Sequence, residues 1–212
     1  MDVRQFTVGP FAENTYLIRR DGSDRALFVD PGDEAPRLLG AVEELGVTID
    51  GILLTHTHID HVGAVAPVAT ATGAEVWVPE IEKPVLADIN RFVPWPDLGP
   101  FENWDAEHTL AGGERLELAG FEIDVLFTPG HSPGHVSYSI ADEDALFSGD
   151  VLFQGSVGRT DLPGGDWETL ARSIATLVAA LPPETTVHPG HMGVTTLGRE
   201  RASNPFLAEL AR

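Results

Sequence analysis

The sequence predicts an α+β protein in which two mixed β-sheets pack together and helices cover their outer faces. Three observations support this prediction. Each half of the chain contains several strand-like segments and at least one helical segment. An apolar fraction of 42% over 212 residues allows a sizeable core, and no run of about 20 apolar residues suggests a membrane helix. Two mixed halves of this kind suggest two sheets packed face to face.

The first half alternates strand-like and helix-like segments. Three short strands are separated by Gly, Asn and Asp, which are turn residues. Leucine and valine residues then recur with helical spacing over residues 35–45, and Gly46 ends this segment as a helix cap would. The predicted elements of this half are strands 6–8, 15–18, 26–29, 52–54 and 75–78, and helices 35–45 and 62–72.

The second half repeats this pattern after an irregular segment. Residues 89–107 show no periodicity and are rich in proline, yet they include large aromatic residues. A long irregular loop is usually functional, so we expect either a flap over a pocket or aromatic side chains that pack the loop against the body. The predicted elements that follow are strands 115–118, 121–127, 135–140, 145–147 and 185–188, and helices 167–181 and 195–201.

The composition limits the functions that the chain can have. A formal net charge of −20, from 33 acidic and 13 basic residues, disfavours nucleic acid and anionic membranes as partners. Because the chain has no cysteine, disulfides and a cysteine nucleophile are excluded, and any metal site must consist of His, Asp and Glu. The N-terminus lacks the pattern of a signal peptide, which indicates a cytoplasmic protein.

Four potential metal ligands lie within six positions, directly after the apolar run 51–54. His56 and His58 are two residues apart, so on an extended segment they project to the same side. If the chain then turns, Asp60 and His61 can point to a neighbouring position. Zinc, iron and manganese accept imidazole and carboxylate ligands, and this cluster suits two metals better than one. A polar turn that is merely rich in histidine is the alternative.

Three further segments place a possible ligand just past a strand end. His131 follows the strand 121–127, Asp150 follows the strand 145–147, and His191 follows the strand 185–188. Gly or Pro accompanies each of these residues and fixes a sharp turn. Active-site residues often lie on loops at one end of a rigid sheet, which makes these three positions candidates for the same site.

The ordered series T-H-x-H-x-D-H, P-G-H-S-P-G-H, S-G-D and P-G-H resembles the metallo-β-lactamase fold hydrolases, and most of all their glyoxalase II (hydroxyacylglutathione hydrolase) branch. The resemblance extends from the turn at 30–32 to the tail at 204–206. It implies an αββα sandwich, formed by residues 1–212 as a single domain, with a dinuclear metal centre between the sheets. Full-length enzymes of this branch carry a C-terminal helical domain that helps hold glutathione, and we expect that domain to be absent here.

The resemblance also implies roles for the matching residues. We expect two divalent metal ions per chain, zinc first, with iron or manganese as alternatives because sites of nitrogen and oxygen ligands bind all three. A metal-bound hydroxide would attack the substrate carbonyl, with Asp60 and Asp150 as the catalytic carboxylates. The implied ligands are His56, His58 and His131 for the first metal, Asp60, His61 and His191 for the second, and Asp150 as the bridge.

The implied activity is hydrolysis of a small-molecule thioester of the S-2-hydroxyacylglutathione type. The alternatives are a mononuclear iron persulfide dioxygenase, which shares the His/Asp framework, and a broad esterase or lactonase of the same fold. True lactam hydrolysis is not expected, because β-lactamases of this fold usually replace the residue at the position of His61 or use a cysteine ligand. A nuclease would need a basic surface, which the net charge opposes. We expect a monomer or a homodimer.

Several residues near the motifs are candidates for supporting roles. The predicted substrate-binding residues are Arg159, Phe92 and Trp95. Pairing of Arg159 with Asp161 or Asp166 is the alternative to its contact with a substrate carboxylate. We expect His135 to pack or hydrogen-bond beside the site, and His188 to be structural.

Overall fold

A computed structural model of the chain describes residues 1–93, Trp95 and residues 98–210. It consists of two mixed β-sheets that are packed together and flanked by helices, so the predicted αββα sandwich is confirmed. No helix within these described ranges is both long enough and apolar enough to cross a bilayer.

The first sheet contains six strands, whose order in the sheet is their order in the chain. The first three strands are antiparallel neighbours, and the third to the sixth are parallel. The change of direction comes with the helical connections that parallel neighbours require. The strands are β1 (Asp2–Val8), β2 (Glu13–Arg19), β3 (Arg25–Val29), β4 (Thr48–Leu53), β5 (Glu75–Pro79) and β6 (His108–Leu110).

The second sheet is also mixed, and a two-stranded hairpin lies beside it. Its strands are β7 (Arg115–Leu118), β8 (Phe121–Phe127), β9 (Val136–Ile140), β10 (Ala145–Gly149), β13 (Thr186–Pro189) and β14 (Thr195–Thr196), and the hairpin consists of β11 (Leu152–Phe153) and β12 (Ser156–Val157). The order in the sheet is β14-β13-β10-β9-β8-β7, and only the β10–β13 pair is parallel.

Local sequence explains where the longer helices begin and end. Helix α1 stops at Gly46, which adopts the left-handed conformation (φ 62°) that glycine tolerates. Helix α5 begins at the N-cap Asp166, whose carboxylate accepts a hydrogen bond from the N–H of Thr169 at 2.8 Å. The helices are α1 (Ala35–Leu45), α2 (Ile59–Val62), α3 (Val65–Thr72), α4 (Lys83–Ala87), α5 (Trp167–Ala180), α6 (Leu197–Ser203) and α7 (Pro205–Leu210).

Alternation along the strands divides the core into three layers. Leu27 and Val29 of β3 point into the space between the sheets, whereas Phe28 packs outward with Leu38 of α1. In the second sheet, Phe147 of β10 points inward, and the preceding residue, Leu146, packs outward against α5. The two sheets are therefore fixed rigidly against each other, and this fixes the relative positions of the loops at their edges.

The structure differs from the sequence prediction around residues 59–72 and 83–110. The single helix predicted over 62–72 is two helices, because the N–H of Ala64 bonds to the carbonyl of Pro31 at 3.1 Å rather than continuing α2. Helix α4 and strand β6 were not predicted. Both are short, and neither has enough residues to show a period.

The irregular segment is attached to the body by its own side chains. Asn90 exchanges two 2.8 Å hydrogen bonds with the backbone of Phe101, and the rings of Phe101 and Trp104 pack against the outer core. The packing interpretation is confirmed for these residues. Pro94, Pro96 and Asp97 of the same predicted segment lie outside the described residues.

Candidate metal centre

The side chains that were predicted to act together follow strand ends at one edge of the sandwich. β10 and β13 are parallel, and β8 runs in the same direction because both β8 and β10 are antiparallel to β9. Their carboxyl ends therefore lie at the same edge. The end of β4 joins them across the sandwich, since Tyr138 of β9 donates a 2.6 Å hydrogen bond to the carbonyl of Leu54. All seven predicted ligands meet at this edge.

Three imidazoles form the first cluster, which we call the three-histidine group: His56, His58 and His131. Nδ1 of His58 lies 3.1 Å from Nε2 of His56 and 2.8 Å from Nε2 of His131. One nitrogen from each ring thus faces a common point, as the nitrogens around a metal ion do.

Hydrogen bonds on the far side of two rings fix which nitrogen carries the proton. The hydroxyl of Thr55 donates to Asp30 at 2.6 Å, so it accepts from Nδ1 of His56, which lies 3.0 Å away. Nδ1 of His131 donates to the carbonyl of Arg159 at 2.8 Å. Both Nε2 atoms therefore turn a lone pair towards the common point, where a cation would relieve their mutual repulsion.

Burial and mutual proximity keep the rings of His56 and His58 neutral. Burial lowers the pKa of His56 well below its usual value, and the charges of neighbouring histidines lower it further. Burial also lowers the pKa of His58 to about 4. Neutral imidazole is the form that binds metal, so His56 and His58 are prepared for a cation over most of the acidic pH range.

The second cluster, which we call the carboxylate group, consists of Asp60, His61 and His191. Nε2 of His191 lies 3.3 Å from Oδ2 of Asp60, and Nε2 of His61 lies 4.0 Å from the same oxygen. This group is partly open, because the side chains of Asp60 and His191 are about one-fifth exposed (18% and 21%).

The carboxylate of Asp150 lies between the two groups. Its Oδ2 is 3.4 Å from Nε2 of His131 and 3.5 Å from Nε2 of His191, and its Oδ1 is 3.4 Å from Nε2 of His61. One side chain thus reaches both groups. Gly190 makes this approach possible, since a Cβ at that position would collide with Oδ1 of Asp150 and would lie only 2.7 Å from Cε1 of His61.

Two buried polar atoms at this point support a cation. Nε2 of His61 and Oδ1 of Asp150 are buried and have no hydrogen-bond partner among the described residues. A buried polar atom of this kind is costly, and a bound ion is one way to compensate it. The donor set of imidazole nitrogens and carboxylate oxygens suits zinc, iron or manganese. The residues therefore fit a metal centre.

In the carboxylate group, the pKa values of the histidines are shifted in the opposite direction from those of His56 and His58. Although burial opposes it, the charges of Asp150 and Asp60 raise the pKa of His61 well above its usual value. The pKa of His191 is also raised against the effect of burial, by its hydrogen bond to Asp60 and by the charge of Asp150. Conversely, burial would raise the pKa of Asp150, but the charges of His61 and other histidines lower it. Asp150 is therefore ionised at neutral pH.

Two buried acidic residues beside His61 were not identified from the sequence. Oδ2 of Asp30 accepts a hydrogen bond from Nδ1 of His61 at 3.0 Å, which turns Nε2 of that ring towards Asp150. Glu13 lies 3.8 Å from the same Nδ1, and burial raises its pKa well above the usual value. In the sequence, Asp30 is recognised only as part of a turn, and no local pattern indicates a role for Glu13 beside the metal centre.

His135 and His188 lie beside the centre and outside both groups. Nε2 of His135 accepts the N–H of Asp150 at 3.1 Å, and its Nδ1 bonds to the hydroxyl of Thr128 at 2.9 Å. This is the expected hydrogen-bonding role, and it holds the backbone of Asp150 in place. His188 stacks on Phe147 with a centroid distance of 4.8 Å, as a structural residue would.

The three predicted substrate-binding residues lie at the surface, and each has different neighbours. Arg159 and Asp161 are both exposed, and Arg159 donates two 2.6 Å hydrogen bonds to the carboxylate of Asp161. The structure therefore has the predicted alternative, in which Arg159 pairs with Asp161. Trp95 packs on Phe11 with ring centroids 5.3 Å apart, and Phe92 is half-exposed. A small pocket that adjoins Asp60 also reaches Phe11, Leu98 and Phe101, which gives the carboxylate group an apolar border.

Comparisons with known proteins agree with this geometry. A family model described as the metallo-beta-lactamase superfamily matches residues 8–191. The Haemophilus influenzae protein named hydroxyacylglutathione hydrolase GloC is 38% identical over 220 residues, which cover 98% of each chain. The crystal structure of BLEG-1 B3 metallo-beta-lactamase superposes with a TM-score of 0.92 at 39% identity, and covers 97% of this chain and 99% of that one. The structure of TTHA1623 in a di-iron-bound form has a TM-score of 0.80 at 44% identity, and covers 97% and 100%.

Proposed function

The chain belongs to the metallo-beta-lactamase superfamily, and from this premise we propose that it is a dinuclear metallohydrolase that cleaves thioesters of the S-2-hydroxyacylglutathione type. The observation that carries the proposal is the position of Asp150, whose two oxygens lie within 3.4 to 3.5 Å of nitrogens from both groups. A carboxylate in this position can serve two cations at once.

In the proposal, the three-histidine group holds one metal, the carboxylate group holds the other, and Asp150 joins them. Bound divalent metals at such a centre acidify water and polarise a carbonyl oxygen as Lewis acids. Asp60 and Asp150 have lowered pKa values despite their burial, and are therefore ionised at neutral pH. They accept hydrogen bonds from the nucleophilic water and orient it towards the substrate carbonyl. A thiolate leaving group needs little protonation, so the mechanism requires no separate general acid.

The border of the carboxylate group supports a role in substrate binding. Asp60 is the ligand candidate next to the small apolar pocket, and Phe11 lies both on that pocket and against Trp95. We assign the acyl part of the substrate to this side, with Trp95 and Phe92 as the contacting aromatics. Arg159 remains a proposed contact for a substrate carboxylate, and would have to leave Asp161 to make it.

The relative named hydroxyacylglutathione hydrolase supports the choice of thiol. It is matched over 98% of its own length, so nearly all of that protein corresponds to the αββα sandwich seen here. A separate helical domain for glutathione is therefore not needed for the activity in that protein's name, which is consistent with our proposal of a single-domain organisation. Zinc is the proposed metal, and the di-iron-bound relative supports iron as the alternative. We also keep the cytoplasm as the proposed location.

Three other activities remain as candidates. A relative at 39% identity is titled a B3 metallo-beta-lactamase, so hydrolysis of a β-lactam amide becomes a second candidate despite the expectation from the position of His61. The third candidate is a mononuclear iron persulfide dioxygenase. This activity would need a single iron ion, bound at either the three-histidine group or the carboxylate group. A broad esterase or lactonase would use the same centre with a less selective acyl site.

The test is a substrate panel on the purified, metal-loaded protein. Release of free thiol from S-lactoylglutathione is measured beside hydrolysis of a chromogenic cephalosporin, hydrolysis of simple esters and lactones, and oxygen uptake with glutathione persulfide. We expect the thioester to have the highest kcat/KM, and His131→Ala to abolish its cleavage. His108→Ala is the matched control, because His108 bonds to Glu75 at 2.7 Å and is partly exposed away from the centre. Oxygen uptake without thioester cleavage, or a preference for the cephalosporin, would disprove the proposal.

A further inference from the structure

A buried carboxylate outside both metal groups connects the two loops that carry the three-histidine group. Glu82 directly precedes helix α4 and is only 5% exposed. Oε2 of Glu82 accepts a 2.7 Å hydrogen bond from the hydroxyl of Thr57. Oε1 accepts a 2.7 Å bond from the hydroxyl of Ser132 and a 2.9 Å bond from the N–H of Gly134.

The donors belong to positions that matter for the centre. Thr57 lies between His56 and His58, and Ser132 directly follows His131. Each oxygen of Glu82 therefore binds one of the two loops, so this carboxylate connects them next to the histidines. The 2.8 Å approach between His58 and His131 is made across this same gap.

The chemistry of the contact makes it strong. Hydrogen bonds to an ionised carboxylate are about twice as strong as those between neutral groups. Burying a carboxylate is costly unless its oxygens are satisfied, and here three donors satisfy both of them. Gly134 allows the close approach, because a Cβ at that position would lie 2.7 Å from Cγ of Glu82. The loop sequence and the carboxylate are thus fitted to each other.

We propose that Glu82 is a positioning residue, which sets the spacing of the three-histidine group and thereby that group's affinity for metal. The inference rests on the proposed metal centre. Thr57 and Ser132 directly adjoin members of the three-histidine group, so we expect the larger effect at that group. His61 is held instead by Asp30.

The experiment measures stepwise binding of cobalt to the metal-free protein, by competition with a chromophoric chelator. In Glu82→Ala we expect the dissociation constant of the three-histidine group to rise between about 10- and 100-fold, with less than threefold change at the carboxylate group. Glu82→Gln should retain most of the affinity, since its amide oxygen can accept from Ser132 and Gly134 while its amide nitrogen donates to the hydroxyl of Thr57.

Glu200→Ala is the matched control for burial. Glu200 is 1% exposed and also accepts three hydrogen bonds, from Gly155, Thr195 and Asn204, but it lies in the C-terminal helix α6. We expect this variant to lower the unfolding temperature without changing the ratio of the two metal affinities. If Glu82→Ala does not fold, the pair Thr57→Val and Ser132→Ala replaces it, and each should weaken the three-histidine group.

The outcomes separate this inference from the proposed function. If wild-type protein binds no metal, the proposed centre and the role of Glu82 both fail. If wild-type protein binds two metals and Glu82→Ala binds them with unchanged constants, only the positioning role fails. An equal loss at both groups, or the same loss in Glu200→Ala, would also overturn it, because either result would mean that Glu82 acts on general stability.

Discussion

The two halves of the candidate metal centre differ in charge and in exposure. In the three-histidine group, His56 and His58 are neutral, and His56 and His131 are almost fully buried. In the carboxylate group, the side chains of Asp60 and His191 are partly open to solvent, whereas His61 is fully buried. Asp60 also borders the apolar pocket. The first group is thus built to hold a cation, and the second is built to hold one while leaving access for water and substrate.

The difference extends to how protons compete with metal. The pKa of His58 is lowered to about 4 by burial, whereas the pKa of His61 is raised by Asp150 and Asp60. A metal entering the carboxylate group must therefore displace a proton that is absent from the other group. In the proposed centre, one metal would be held tightly and the other would exchange more readily, with Asp150 between the two groups.

The largest effect is expected for Asp150→Ala, which removes the residue that both groups share. We expect both metal affinities to fall and kcat/KM for the thioester to drop by at least about 1,000-fold. Metal content and thiol release are the measurements, with Asp161→Ala as the exposed control. Retention of two metals in Asp150→Ala would show that Asp150 does not bridge the groups.

Asp30→Asn should weaken metal binding through its contact with His61. Its new amide nitrogen cannot accept from Nδ1 of His61, so the ring shifts its proton to Nε2, the atom that faces Asp150. Asparagine tolerates the left-handed backbone at this position (φ 48°), so the fold is expected to persist. We expect a loss of about 10- to 100-fold in affinity at the carboxylate group, measured by chelator competition. A loss at the three-histidine group should accompany it, because the hydroxyl of Thr55, which accepts from His56, also donates to Asp30. An unchanged constant, or a loss no larger than in the neighbouring surface variant Asp33→Asn, would refute the orienting role.

Acidification should empty the carboxylate group before the three-histidine group. Below its raised pKa, the imidazole of His61 gains a proton, and the apparent metal affinity falls by about tenfold per pH unit. The imidazole of His58 gains its proton only near pH 4, so protons compete with metal at this ligand only at lower pH. Cobalt absorbance during a titration from pH 8 to pH 4 should show two separate losses. A single simultaneous loss of both metals would contradict the comparison.

The smallest effect is expected for Arg159→Ala. The three-histidine group uses the carbonyl of Arg159 and not its side chain, so metal affinity should change by less than about twofold. Gly158→Ala is the informative partner variant, because a Cβ there would collide with the carbonyl of Asp150 and should disturb both groups. An increase in KM without a change in metal affinity in Arg159→Ala would support its proposed substrate contact.

The sequence was sufficient for the positions of the ligand motifs because each is a local signal. An apolar strand that is followed by Gly or Pro and a ligand-type residue can be recognised without knowing its neighbours, as at His131, Asp150 and His191. The fold class was predictable for the same reason, since strand alternation and the period of α5 are local.

The residues that support the ligands were missed because their partners are distant in sequence. Asp30 is 31 positions from His61, and Glu82 is 50 positions from Ser132. Neither has a local pattern that distinguishes it from a surface acidic residue. Only the packing of two sheets, which brings the loops together, gives these carboxylates their partners.

The number of metal ions bound per chain tests the central claim most directly. The measurement is elemental analysis of wild-type protein after metal loading and removal of loosely bound ions, with His131→Ala and His191→Ala beside it. The proposed centre predicts two ions per wild-type chain and a preferential loss of one ion in each variant, from the group that contains the changed histidine. One ion per wild-type chain at saturation, with no second binding step, would contradict the proposed dinuclear centre.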